Sequence, residues 1–391
     1  MIRFGLPRTV VVLSLVSFLN DAASEMITPL LPLFLTITLG AGPAAVGLVE
    51  GVAEATASLL KILSGRLADR GWRHKYLVLG GYSLSNLCRP LIGLARIWPW
   101  VLTLRFLDRV GKGIRTSPRD ALIAHTTPKY LLGRAFGLHR ALDNAGAVVG
   151  PVLAFVLLQQ GLLLQEVFLW SAIPGLLVLM LLIFGLSEST RPIPVRSPPL
   201  HWHSLDTSIK GLILAGSLLA LATTPEVFLI LWATGRGLEI AWAPLLWAAA
   251  SVVKTPLAMV GGELSDRLGR LPILLGGWSL RVLVLLSLAF AQDGPMLTWG
   301  LFLAYAGSLA LTEGPERALI GDRAPTKLKA TAFGLYHMAV GLAALPGAVL
   351  FGSLWQWYGH QSAFLFAAVM TLLSAAVLVA MTRSIQVSGT A

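Results

Sequence analysis

Gly65-Arg-Leu-Ala-Asp69-Arg70-Gly-Trp-Arg73 closes the second apolar stretch of this chain. Gly262-Glu-Leu-Ser-Asp266-Arg267-Leu-Gly269-Arg270 repeats it after a shift of 197 residues. The same shift lays Leu77 and Gly80 on Leu274 and Gly277. Further on, without a gap, it lays Pro118, Ala121, Leu122 and Ile123 on Pro315, Ala318, Leu319 and Ile320. Ala135-Phe-Gly-Leu138 falls on Ala332-Phe-Gly-Leu335. Chance does not return one offset at so many glycine, proline and charged positions, so the chain reads as two parallel copies of one unit. The polar, proline-bearing segment 187–207 reads as a cytoplasmic linker. The expected organisation is an N-terminal bundle over 1–186 and a C-terminal bundle over 208–391.

Composition puts both copies in lipid. Of 391 residues, 55% are hydrophobic and only 13% charged, against about 25% charged in a soluble domain. A spanning helix takes roughly 20 apolar residues. Hydropathy predicts six spans in the first copy, at 9–38, 45–64, 76–97, 98–126, 134–159 and 166–186. In the second they fall at 208–233, 242–262, 272–291, 296–322, 331–353 and 362–382. The expected fold is an all-α membrane protein of twelve helices in two pseudo-symmetric six-helix bundles. Thr9–Leu39 is too long for a signal-peptide core and reads as the first span.

Basic residues collect in the even loops: Arg66, Arg70, Arg73 and Lys75, then Lys129 and Arg134, then Arg191 and Arg196, then Arg267 and Arg270, then Arg323, Lys327 and Lys329. Arg96 and Arg236 are the basic residues near odd loops. The positive-inside rule therefore puts even loops and both termini in the cytoplasm, which an even span count also requires. The net charge of +11 is spread over these short loops rather than gathered with aromatics, so nucleic acid is not an expected partner. One cysteine, Cys88, builds neither a disulfide framework nor a thiolate metal site. The seven histidines lack metal-ligand spacing, and no G-x-S-x-G or H-E-x-x-H motif occurs. No cofactor and no enzymatic activity are expected.

The duplicated loop resembles the loop 2–3 signature of the major facilitator superfamily, G-x-x-x-D-R-x-G-R, with Trp72 where the family has glycine. The resemblance implies a cytoplasmic latch from Gly65, Asp69, Arg70 and Arg73 and from Gly262, Asp266, Arg267 and Arg270; a plain topogenic basic loop is the other reading. Gly137, Gly146 and Gly150-Pro151 are similar to the antiporter motif G-x8-G-x3-G-P of proton-coupled exporters, although Ala154 and Phe155 replace its last two glycines. That resemblance favours export; the same spacing also serves ordinary close packing of helices. Arg109-Val-Gly-Lys-Gly113 resembles the span 4 signature R-x-x-Q-G, with Lys112 in place of glutamine.

Ionisable groups within spans are costly and tend to mark ion or substrate paths. Asp21 and Glu25, four apart in the first span, share a helix face, as do Glu50 and Glu54 in the second. Arg105, Asp108, Arg109, Lys112, Arg115 and Arg119 form a stripe along the fourth. Asp21, Glu25, Glu54, Arg109 and Asp143 are the candidates for proton coupling, with permanent ion pairing as the alternative. Candidates for a substrate cavity are Asn20, Arg89, Arg105, Asn144, Glu226, Lys254, Glu313 and Tyr336. The expected activity is proton-coupled efflux of a small organic molecule by alternating access, in a bacterial inner membrane, by a monomer in a lipid bilayer. Uptake of a small organic anion, paired by Arg89, Arg105 or Arg109, is the second reading.

Overall fold

The computed structural model describes residues 5–69, 72–186, 207–324 and 329–388. Its described residues are helical throughout, without strands. The helices are α1 (Arg8–Ile27), α2 (Pro43–Asp69), α3 (His74–Ile92), α4 (Trp98–Thr126), α5 (Leu132–Gln159), α6 (Leu164–Trp170) and α7 (Ala172–Gly185). After the segment 187–206, which lies outside the described residues, come α8 (Thr207–Ala222), α9 (Glu226–Gly235), α10 (Ala243–Leu268), α11 (Arg270–Phe290), α12 (Pro295–Arg323) and α13 (Lys329–Ser388).

Prolines and glycines set the breaks. Pro29 ends α1, because it lacks the N–H that would continue the ladder beyond Thr28. Pro225 likewise separates α8 from α9. Pro99 and Pro295 sit in the first turns of α4 and α12, where the missing N–H costs nothing. Gly269 turns between α10 and α11 at φ 94°, and Gly359 breaks α13 at φ 83°. Both values lie in the left-handed region that glycine tolerates. Trp72 stands at the matching place in the first copy.

Among the described residues, eight helical segments are long and apolar enough to cross a bilayer. They are Arg8–Thr38, Lys129–Gln159, Leu164–Gly185, Ile209–Gly235, Ile240–Leu268, Arg270–Phe290, Pro295–Arg323 and Ala332–Met381. The last carries the Gly359 break within it. The remaining long helices, α2, α3 and α4, run 27, 19 and 29 residues and hold most of the first copy's charges.

The chain divides into two compact units. Residues 1–41, 56–197 and 239–248 form the first; 42–55, 198–238 and 249–391 form the second. Within the first, α1 packs on α5, α3 on α4 and α1 on α7. Its core joins Val10, Leu13 and Val16 to Val78, Tyr82, Leu122, Val178 and Leu182. Within the second, α8 packs on α13 and α11 on both α12 and α13. Trp278, Leu212, Leu219 and Leu319 centre one of its clusters.

Lipid offers helices no hydrophobic reason to associate, so close approach of small residues has to hold them. A Cβ on Gly146 would come 2.3 Å from the Phe18 carbonyl oxygen, and one on Gly150 2.3 Å from that of Ala22. These two glycines therefore let α5 lie directly on the α1 backbone. Gly347, the repeat counterpart of Gly150, does the same in the second unit, where its Cβ would sit 2.8 Å from Leu221 Cα on α8.

Candidate functional site

The first unit carries a connected polar path across four helices. Asp108, fully buried on α4, is its centre. Arg89 of α3 donates from Nε to Asp108 Oδ1 at 3.0 Å. Arg105 Nη1 lies 3.5 Å from Asp108 Oδ2 and Arg109 Nε 3.9 Å from it. Helical spacing explains the pairing of Arg105 with Asp108, three residues on. Arg89 arrives from another helix, because α3 and α4 touch at Gly81 and Gly111, where a side chain on either would strike the other's carbonyl oxygen. Ser85 Oγ donates to the Asp108 carbonyl at 2.8 Å and accepts from Arg115 Nη1 at 2.6 Å, while the Arg115 guanidinium lies 4.3 Å from the Tyr82 ring centroid.

Arg89 carries the path onto α1. Its Nη1 donates to the Asn20 carbonyl and to Asn20 Oδ1, both at 3.0 Å. Asn20 Nδ2 donates in turn to Asp21 Oδ1 at 3.0 Å. The Asp21 carboxyl lies against that of Asp143 on α5, with Glu25 and Lys112 within electrostatic reach. Asp143 accepts from Ser17 Oγ at 2.5 Å and from Arg140 Nη1 at 3.3 Å. The pair meets where Gly146 and Gly150 press α5 against α1. Glu25 takes a separate partner, accepting from Trp247 Nε1 at 2.8 Å. Residues 239–248 belong to this unit, so that bond is internal to it.

The structure thus brings Asn20, Asp21, Arg89, Arg105, Arg109 and Asp143 into one network and sets Glu25 on Trp247. Arg89 of α3 bonds to α1, and Arg109, a candidate for proton coupling, lies beside Asp108. Asn144 is half-buried on α5. Glu54 is exposed and belongs, with residues 42–55, to the second unit. Within that unit Lys254 Nζ donates to Glu226 Oε2 at 2.5 Å. Glu313 is exposed and takes Arg317 Nη2 at 2.7 Å. Tyr336 is buried and donates to Glu316. Gly216 makes room for that ring, since its Cβ would come 2.5 Å from Tyr336 Cε2.

Of the latch residues, the Asp69 side chain and all of Arg70 lie outside the described residues. A Cβ on Gly65 would lie 3.6 Å from the Ser117 side chain, and the Arg73 guanidinium lies 5.9 Å from the Tyr76 ring centroid. The second copy is complete: Arg270 donates to Asp266, to Ser265 Oγ at 2.9 Å and to Asp322 Oδ2 at 3.1 Å, and Arg267 pairs with Glu263. Of the antiporter glycines, Gly137 faces open space, whereas Gly146, Gly150 and Pro151 are buried. Sequence reasoning did not reach Ser17, Asn86, Ser85 or Tyr82, which carry no charge to mark them.

Known proteins resemble this chain along its whole length. It is 33% identical over 384 residues to an uncharacterised MFS-type transporter of Methanocaldococcus jannaschii, covering 95% of this chain and 94% of that one. It is 25% identical over 384 residues to the multidrug resistance protein MdtG of Escherichia coli, covering 94% and 93%. Among solved structures, a bacterial homolog of the human lysosomal transporter Spinster, inward-facing and occupied, matches with a TM-score of 0.80 at 17% identity over 96% of each chain. The nucleoside transporter NupG matches with a TM-score of 0.76 at 14% identity, over 96% of this chain and 99% of that one. The Major Facilitator Superfamily model matches residues 13–343 and 245–389. With its glycine-seated helices and buried charge path, this chain belongs to the Major Facilitator Superfamily.

Proposed function

We propose that this transporter exports a small organic molecule in exchange for protons, by alternating access of two six-helix halves that together span the membrane twelve times. The observation that carries the reading is the Asp21–Asp143 carboxyl pair, set at the glycine-tight contact of α1 and α5. Two carboxylates side by side repel, and a proton on one of them relieves that repulsion. Loss of that proton breaks the contact at a place where two helices lie backbone to backbone. Proton occupancy and helix position are then linked, as coupling requires. Asn20 joins the pair to Arg89 and Asp108, so the charge path reaches four helices. Similarity to a multidrug resistance protein supports a drug-like substrate and outward direction. The proposed setting is a bacterial inner membrane, with a monomer whose termini are both cytoplasmic.

Vesicles holding the purified chain test this with an imposed pH gradient and a set of cationic, neutral and anionic drug-like compounds. The wild type is expected to move at least one of them against its gradient when protons flow the other way. Asp21→Asn and Asp143→Asn are expected to stop that movement while leaving substrate binding intact. Transport that ignores collapse of the pH gradient would sink the coupling, and full activity in both variants would remove the carboxyl pair from it.

A further inference from the structure

Arg236 directly follows α9 and is one of the two basic residues near odd loops. Its guanidinium ties three segments of the second unit together. Nη1 donates to the Ala291 carbonyl and, at 2.9 Å, to Asp293 Oδ1, both between α11 and α12. Nη2 lies 3.4 Å from Nε2 of His360, which follows the Gly359 break in α13. The guanidinium also stands 5.0 Å from the Trp232 ring centroid of α9. Residues 198–238 and 249–391 belong to the second unit, so these contacts are internal to it. Helix α11 runs from Arg270 of the latch to Phe290, so this cluster and the latch sit at opposite ends of that helix.

The contact with His360 depends on a proton, and the others do not. An arginine side chain has donors only and keeps its charge at any ordinary pH. Its bond to His360 therefore needs a bare Nε2, which the neutral imidazole with its proton on Nδ1 offers. A protonated ring has no lone pair left and sets a second positive charge against the guanidinium. Arg236 faces the ring from the end of α9, with Asp293 held on the other guanidinium nitrogen. From α13 the Trp355 and Phe364 rings face it, with centroids at 5.9 and 6.4 Å. Trp355 packs in turn on Phe228 of α9 at 5.5 Å. His360 lies between the eleventh and twelfth expected spans, where burial and the neighbouring guanidinium push its pKa down from 6.5.

A released His360 titrates near 6.5, and the held one titrates lower. Protons taken up below about pH 6.5 therefore favour release. The Asp293 side chain is 80% exposed and bonds Nη1, so it keeps Arg236 on the loop after α11 when Nη2 loses its acceptor. Acid then frees α13 at Gly359, where a φ of 83° already turns the chain. The shift of 197 residues lays Arg236 and His360 on Leu39 and Leu163, so the first unit has no copy of this pair.

We propose that Arg236 and His360 form a pH-operated clasp at the end of the second unit away from its latch. Closed at neutral pH, it holds α13 to α9 and to the loop after α11; in acid it opens. On the transporter reading above, that end is the outer one, so the clasp opens when the outside is acidic and protons are ready to enter. Only this placement rests on that reading.

Hydrogen–deuterium exchange on the full-length chain in lipid nanodiscs tests the clasp without gradient or substrate, so failure here and failure of proton-driven export are separate results. Protection is read by mass spectrometry at about pH 7.5 and about pH 5 and corrected for intrinsic exchange. In the wild type, protection over residues 355–362 is expected to fall about ten-fold in acid, the size of one pK unit of linkage, while residues 291–294 stay as they were. His360→Gln keeps an acceptor for Arg236 and takes up no proton, so it is expected to stay protected at both pH values. His360→Lys carries its charge throughout and is expected to lose protection at both. Wild-type protection that ignores pH overturns the proposal, as does an acid loss of wild-type size in His360→Gln. Equal loss over residues 291–294 also overturns it, because the whole end of the unit would then be fraying. If His360→Lys cannot be isolated, the wild type and His360→Gln decide by the same criteria.

Discussion

Asp108 faces three guanidinium groups while fully buried, and that makes it the residue on which the first unit's charge balance turns. Removing its charge leaves Arg89, Arg105 and Arg109 without their shared counter-ion in a place water does not reach. Breaking a buried pair by deleting one partner costs about 3–5 kcal/mol. Asp108→Asn is therefore expected to lower the thermal midpoint of the purified protein by several degrees or to prevent its isolation, and unchanged melting would show that the three arginines find other partners. Asp143→Asn is expected to behave differently. An amide oxygen can still accept from Ser17, so melting should change little while proton-driven transport stops. The contrast separates a structural carboxylate from a coupling one on the same network. Asp21 and Glu25 were legible as a pair because four-residue spacing puts them on one face. Asp143 was legible as a charge in a span, but not as the neighbour of Asp21, since that contact joins helices more than a hundred residues apart. The stripe on α4 was legible as a row of charges at helical spacing, but not the gathering of its Arg105 and Arg109, with Arg89 of α3, on Asp108, since sequence spacing does not place α3 against α4.

Helices α1 and α5 meet through two residues that have no side chain, and this contact tests the element scale. A side chain at Gly150 must push α5 off α1 by more than a rotamer change can absorb, because the atoms it meets are backbone. Gly150→Val and Gly347→Val are each expected to abolish transport and reduce the yield of folded protein, because each opens the helix contact of its own unit. Gly137→Ala is expected to be silent, since open space surrounds its Cβ position. Wild-type activity in both valine variants would show that neither contact sets the spacing of its helices. The motif spacing in the sequence pointed to close packing without saying against what. The shift of 197 residues already carried Gly150 onto Gly347, so the second contact was there to be read. It was hidden because Pro151 and Gly146 have Ala348 and Ala343 as counterparts, and the motif is no longer recognisable. The expected helix ends agree with the structure to within a few residues in most cases, because prolines and charged loops mark them. Spans one, six and seven are interrupted: α1 stops before Pro29, Ser171 parts α6 from α7, and Thr223–Pro225 part α8 from α9, where continuous hydropathy on both sides concealed the breaks.

At the scale of the whole molecule, apolar composition alone identifies eight crossings, whereas the internal repeat asks for twelve. The difference lies in α2, α3 and α4, whose charges lower their apparent affinity for lipid, and in α13, which Gly359 divides. Burial offers a physical reason for the difference. Arg89, Arg105, Asp108 and Arg115 are at most 4% exposed, so these four charges of α3 and α4 face protein. The exposed positions on these helices include Leu87, Leu91 and Phe106. A hydropathy window averages both faces and cannot see that only one of them meets lipid. Twelve crossings make a strict prediction of alternating sides, readable with single cysteines in a Cys88→Ser background, where the native thiol is buried. Trp72, Tyr130 and Leu268 are exposed near even-numbered loops; Ile97, Leu163, Met296 and Tyr358 are exposed near odd-numbered ones. A membrane-impermeant maleimide added to intact cells is expected to label cysteines at the four odd-loop positions. Those at Trp72, Tyr130 and Leu268 should react only after the membrane is opened. The decisive comparison is Trp72→Cys with Ile97→Cys, which bracket α3. Labelling of both from the same side would mean that α3 does not cross, and the charge path of the first unit would then have to be explained without a membrane around it.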